Sequence, residues 1–135
     1  MKRTAFCVII LLVGTLFLWS CKDQVTAPSQ SPIVFPASNI SYSKYIDPLF
    51  QQQCAVSGCH SSTTAAGDLD LTIPSYDNLI NHLPPLVVSG ASNNSLLVQR
   101  LDGRIQPVMP PLGSPLTSNQ INGIKKWIDE GALNN

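Results

Sequence analysis

The sequence predicts a small helical domain threaded with long ordered loops, and three observations predict it. Tyr42, Tyr45, Ile46, Leu49, Phe50 and Gln53 recur at helical spacing near the start of the domain. Near its end, Thr117-Ser118-Asn119-Gln120 has the spacing of a reciprocal N-terminal cap, and Ile121, Ile124, Trp127 and Ile128 then fall on one helical face. Between the two, stretches rich in Gly, Pro, Ser and Asn interrupt any long periodic run, among them Leu83-Pro84-Pro85 and Gln106-Pro107-Val108-Met109-Pro110-Pro111.

In chain order, Lys2-Arg3 precede a mostly apolar run from Ala5 to Trp19 that ends at Ser20-Cys21. A basic start, an apolar stretch of this length and a small residue before the end read as an export signal over residues 1–20. A membrane-spanning helix needs about 20 apolar residues, and here a polar, proline-containing sequence follows the shorter run at once. Leu18-Trp19-Ser20-Cys21 resembles the lipobox of bacterial lipoproteins, which implies cleavage before Cys21 and lipid modification of that cysteine. Residues 21–40 carry three prolines among Ser, Gln, Thr and Asn without apolar periodicity, so they read as a flexible, lipid-anchored tether. The domain then spans residues 41–135.

Its first helix starts between Ser43 and Pro48, with Asp47-Pro48 fit to be the cap and first position, because proline is tolerated in an opening turn. Two shorter helices are expected over Tyr76–Asn81, behind the cap candidate Ser75, and over Ser95–Leu101, behind Asn93-Asn94. The last helix follows Thr117 and is ended by Gly131. There is no internal repeat.

At 135 residues the chain has room for one core. Of its eight basic residues, Lys2 and Arg3 lie in the signal, which leaves six against eight acidic ones in residues 22–135. Only Lys125 and Lys126 are adjacent, so the basic stripe of a nucleic-acid binder is missing. Short helices and long loops over about 95 residues bury little apolar surface, so a further group is expected to complete the interior.

Of four cysteines, Cys7 leaves with the signal and Cys21 is assigned to the lipid, so the domain keeps Cys54 and Cys59, with His60 directly after. Cys-Xaa-Xaa-Cys-His is the usual haem-attachment signature: both sulfurs form thioethers and the histidine supplies the proximal nitrogen to iron. Here four residues, Ala-Val-Ser-Gly, separate the cysteines. Five positions on a regular helix are about 1.4 turns and would aim the sulfurs apart, so the helix must break at or just after Cys54. Gly58 eases the approach that follows. Two other readings compete: a Cys54–Cys59 disulfide, which an oxidising compartment favours, and a zinc site, which lacks two further ligands.

Met109 is the only methionine left after removal of the signal, 49 residues beyond His60 and followed by Pro110-Pro111. A soft thioether on a proline-stiffened loop suits the second axial position on iron, and His/Met ligation raises the reduction potential relative to bis-His. Its plain alternative is a core gap-filler. His82, the other histidine, is either a solvated loop residue or the sixth ligand in place of Met109. Arg100 and Arg104 match haem propionates in geometry, though solvated arginines are commoner. Trp127 reads as a core residue between the terminal helices.

The order Cys-x4-Cys-His, Gly67-Asp68-Leu69-Asp70-Leu71, Ser75-Tyr76-Asp77-Asn78-Leu79, Val87-Val88-x-Gly90, Ser95-Leu96-Leu97, Val108-Met109-Pro110-Pro111 and Trp127-Ile128-x-x-Gly131-Ala132 resembles the planctomycete-type cytochrome c domains. The resemblance implies an all-α, class I cytochrome c-like fold around one covalent haem c, with thioethers at Cys54 and Cys59, proximal His60 and distal Met109. It also implies a single-electron carrier rather than an enzyme. Such a carrier would work with redox partner proteins at a membrane, on the periplasmic side or at the cell surface. Two competing classes remain open at this point: an enzyme with open iron acting on peroxide or a small gas, and a haem-free lipoprotein with a Cys54–Cys59 disulfide. The haem reading further predicts a central cleft lined by Cys54, Cys59, His60, Leu71, Val108, Met109 and Trp127.

Overall fold

Helical periodicity from Tyr42 onward becomes one continuous helical run in the computed structural model, which describes residues 32–135. The export signal, Cys21 and the tether as far as residue 31 lie outside the described residues. The run opens as a wide π-helical turn, Tyr42–Ile46, and continues as α1, Asp47–Gln53. Ser41 caps it by accepting from the Lys44 N–H at 3.3 Å, so the helix begins one residue before the earliest start the pattern allowed. Pro48 explains the wide turn. A proline ring clashes with the carbonyl four residues back, and a π-helical turn gives that carbonyl room. Tyr42, Ile46, Leu49 and Phe50 form the buried face.

Three further helices follow: α2 (Ser75–Ile80), α3 (Leu96–Leu101) and α4 (Ser118–Asp129). Short 3-10 turns at Ala66–Asp68 and Ser92–Asn94 punctuate the loops. Among the described residues there is no strand, so the all-helical expectation holds. Both short helices were expected within one residue of their ends, but their serines are used differently. Ser75 is not a cap. It is the first residue of α2, fully buried, with its hydroxyl 2.6 Å from the Tyr42 hydroxyl and donating to the Asp47 carboxylate, so it ties α2 to α1. Burial pushes the Tyr42 phenol well above its ordinary range, keeping it a neutral hydrogen-bonding group. Ser95 precedes α3 and turns its hydroxyl back to accept from Val88 N–H and donate to the Ala91 carbonyl, closing the loop before it.

α4 has the predicted reciprocal cap: Gln120 N–H donates to Thr117 Oγ1 at 3.3 Å and Thr117 N–H to Gln120 Oε1 at 2.9 Å. Gly123, Ile124, Trp127 and Ile128 are buried, whereas Ile121 is only half-buried. Trp127 packs against Tyr42 and Tyr76, with ring centroids 5.3 and 6.5 Å away, and its indole N–H donates to the Leu133 carbonyl. It is the core residue the sequence predicted.

The tether ends earlier than expected, because residues 33–40 pack onto the domain. Phe35 is 4% exposed and Ile40 2%. Phe35 exchanges main-chain hydrogen bonds with the Asn119 amide, at 2.8 and 3.1 Å, and its ring lies on Gly123. Glu130 accepts from the N–H groups of Asn39 and Ile40, both at 2.8 Å, and those donors hold its carboxyl below the ordinary range. The short run Ile33-Val34-Phe35 between two prolines and the single Ile40 show no period, yet Phe35 and Ile40 are both buried against the domain.

Candidate functional site

The site is built where α1 stops. Cys54 N–H still donates to Phe50 O at 2.8 Å, but the residue has left regular helix geometry, with φ −119° and ψ −45°. The chain then turns back. Cys59 N–H donates to Val56 O, Gly58 takes φ +83°, a region costly for a side chain, and His60 N–H donates to the Cys54 carbonyl at 3.0 Å. This is the break at Cys54 that the four-residue spacing required. A closed loop, rather than a helical turn, brings the two cysteines and the histidine together.

Both cysteines are free thiols, so the alternative disulfide is not formed. Burial, and secondarily the nearby Cys59, pushes the Cys54 thiol up to about 12. It therefore stays neutral among apolar neighbours, in surroundings that also suit an uncharged thioether. Cys54 and Ala55 pack on the hydrophobic core.

His60 is oriented by its second nitrogen. Nδ1 lies 3.2 Å from the Leu69 carbonyl. A carbonyl only accepts, so the proton sits on Nδ1 and the lone pair of Nε2 is left for a metal. The segment carrying that carbonyl is strapped to the motif twice more, by Ala66 N–H to Cys59 O at 3.0 Å and Leu71 N–H to His60 O at 2.8 Å. Leu69 and Leu71 alternate inward and are buried; Asp70 faces out, accepting from the Thr72 hydroxyl and N–H, which lower its pKa.

Met109 is half-buried against the same core as Cys54. Its N–H donates to the Arg100 carbonyl at 3.0 Å, and Arg100 Nη1 donates to Pro107 O at 3.3 Å. The main chain and side chain of Arg100 thus hold the methionine loop to α3. Arg104 forms two 3.0 Å bonds to the Asp102 carboxylate and a third to Asn93 O. Loop partners engage the Arg104 guanidinium, whereas Arg100 spends one N–H on Pro107 O and keeps further donors of its fork.

His82 is removed from the ligand set for a similar reason: Nδ1 faces the Pro84 carbonyl at 3.0 Å and Nε2 the Gly67 carbonyl at 2.9 Å. Not all of the residues expected to line a central cleft are accessible to one. Leu71 and Trp127 are 3% and 1% exposed, inside the core, while Cys54, Cys59, His60, Val108 and Met109 are half-buried. No cluster of three or more His, Cys, Asp or Glu able to hold a metal ion occurs among the described residues. What remains is a donor set of two thiols, one imidazole with a free Nε2 and one thioether, whose chemistry fits a covalent haem. The carbonyl of Leu69 was not foreseen as part of the site; its only advance signal was the Gly-x-Leu-x-Leu stretch, whose alternation fixes which residues face inward.

No helix among the described residues is long and apolar enough to cross a membrane. Neither the curated proteins nor the solved structures gave a match. The family model described as Planctomycete cytochrome C matches residues 57–113, a span that takes in Cys59, His60 and Met109 and begins three residues after Cys54. With the two cysteines closed onto an oriented histidine and a methionine held on the following loop, the match over residues 57–113 supports a planctomycete-type cytochrome domain there, a family whose members bind haem and transfer electrons.

Proposed function

We propose that this chain is an exported, lipid-anchored c-type cytochrome holding one haem on a class I cytochrome c-like fold and passing single electrons at a membrane surface. The observation that carries the reading is His60: directly after the free thiol of Cys59, its Nδ1 proton is fixed on Leu69 O, which leaves Nε2 as a preoriented donor. Bound haem supplies an iron that changes oxidation state by one electron. The thiols of Cys54 and Cys59 would hold it through thioether bonds, each S–H adding across one vinyl group so that sulfur takes one carbon and the proton the other. His60 would donate Nε2 to the iron, and the Leu69 carbonyl raises its basicity through Nδ1–H.

Met109 would offer its thioether sulfur to the same iron from a loop that Arg100 keeps in place, and iron with no open position favours electron transfer over peroxide chemistry. Cys21 carries the acyl chains; two or more make a stable anchor, since each buried methylene adds about 0.8 kcal/mol. Redox partner proteins dock transiently through small contacts.

The test is mass spectrometry and haem staining of denatured protein produced with a cytochrome c maturation system. One covalent haem per chain is expected, lost in Cys59→Ala. A product with the bare polypeptide mass plus lipid sinks the proposal.

A further inference from the structure

His82 lies in the loop after α2, outside the ligand set, yet both its ring nitrogens end on main-chain carbonyls, Pro84 O at 3.0 Å and Gly67 O at 2.9 Å. Carbonyls only accept, and a neutral imidazole has one N–H, so the arrangement is complete only when the ring carries both protons. The titratable groups that share its surface hollow are Asp68, Asp70 and Asp77, all acidic. Gly67 stands two residues before Leu69, whose carbonyl orients His60.

We propose that doubly protonated His82 is a positioning residue for His60. It clamps the strap of residues 67–69 to the turn at Leu83-Pro84 and so sets the Leu69–His60 hydrogen bond. Loss of one proton frees one carbonyl and loosens the strap. The inference rests on the reading of His60 as an iron ligand. A tighter Nδ1–H bond makes His60 the more basic donor and favours oxidised iron. The clamp therefore lowers the reduction potential, and its release raises it. A mere loss of positive charge near the iron would have the opposite sign.

The experiment measures the reduction potential of the haem-loaded full chain, and the exchange rates of the Ala66 and Leu71 amides, between pH 5 and 8, where histidines change charge. Covalent haem is quantified in every sample. The wild-type potential should rise with pH. His82→Ala should stay near the high-pH wild-type value throughout, with faster exchange at both amides. His82→Gln, uncharged but still a donor, should be flat with pH and lie closer to the low-pH wild-type value. A wild-type potential that falls or stays level, or a His82→Ala profile equal to wild type, overturns the inference while leaving the cytochrome reading intact. Wild-type protein without haem overturns both.

Discussion

Replacing Gly123 by alanine should destabilise the domain, although a glycine inside a helix normally gains about 1 kcal/mol from that change. An alanine Cβ at this position would meet Phe35 at 2.1 Å from Cδ1, 2.3 Å from Cγ and 2.7 Å from Cβ. Because the root of the side chain is among these atoms, rotating the ring does not relieve the clash, and the segment must lift. Exposing a buried phenylalanine costs about 1.5–3 kcal/mol. Disturbing the two bonds between Phe35 and Asn119 adds about 1 kcal/mol each at most. Set against the helical gain, the net loss is about 0.5–4 kcal/mol, read as a lower urea midpoint at unchanged slope. In a Phe35→Ala background the same alanine has space, and its effect should reverse to a stabilisation of up to about 1 kcal/mol. A stabilising Gly123→Ala in the wild-type background, or equal effects in both, would refute the seat of Phe35 on α4.

Thr117→Ala removes the acceptor of the Gln120 N–H and should cost about 1 kcal/mol in the same denaturation assay, with little change at the haem. Met109→Ala should abolish the sulfur-to-iron charge-transfer band of the oxidised protein and open the iron to cyanide, while covalent haem remains; an unchanged band would exclude Met109 as a ligand. Glu130 ionises more readily in the fold than its ordinary value of 4.5 because Ile40 and Asn39 N–H groups bond its carboxylate. Its contribution is therefore complete at neutral pH and is lost as pH falls from about 4.5 through the lowered value. Glu130→Gln should flatten the acid side of a Tm-against-pH curve, and an unaltered acid slope would remove that assignment.

The terminal helices were legible because each exposes a long apolar period, and the capping box of α4 is a side-chain pattern readable in four letters. Cys59-His60 and Met109 were legible for a different reason: few residue types carry those donors, so their positions stand out. Phe35 and Ile40 were not, since a three-residue apolar run between prolines and one single isoleucine have no period and gain meaning only from the glycine and carboxylate they meet on α4 and at its end. Ser75 read as a cap, the commonest use of serine before a helix, until the fold turned its hydroxyl to Tyr42 and Asp47 on α1 and its preceding turn. Leu69 was hidden in another way. Its contribution is a main-chain oxygen, which every residue has, so only the strap geometry marks it.

The seat of Phe35 on α4 also limits how the cytochrome can roam. For a chain fastened to lipid at Cys21, thirteen residues lie between the anchor and that seat, a leash of no more than about 50 Å at full stretch. A haem carried on such a chain would sample a thin shell above its own bilayer, and electron exchange would then favour neighbours embedded in or lying on the same membrane over a facing surface.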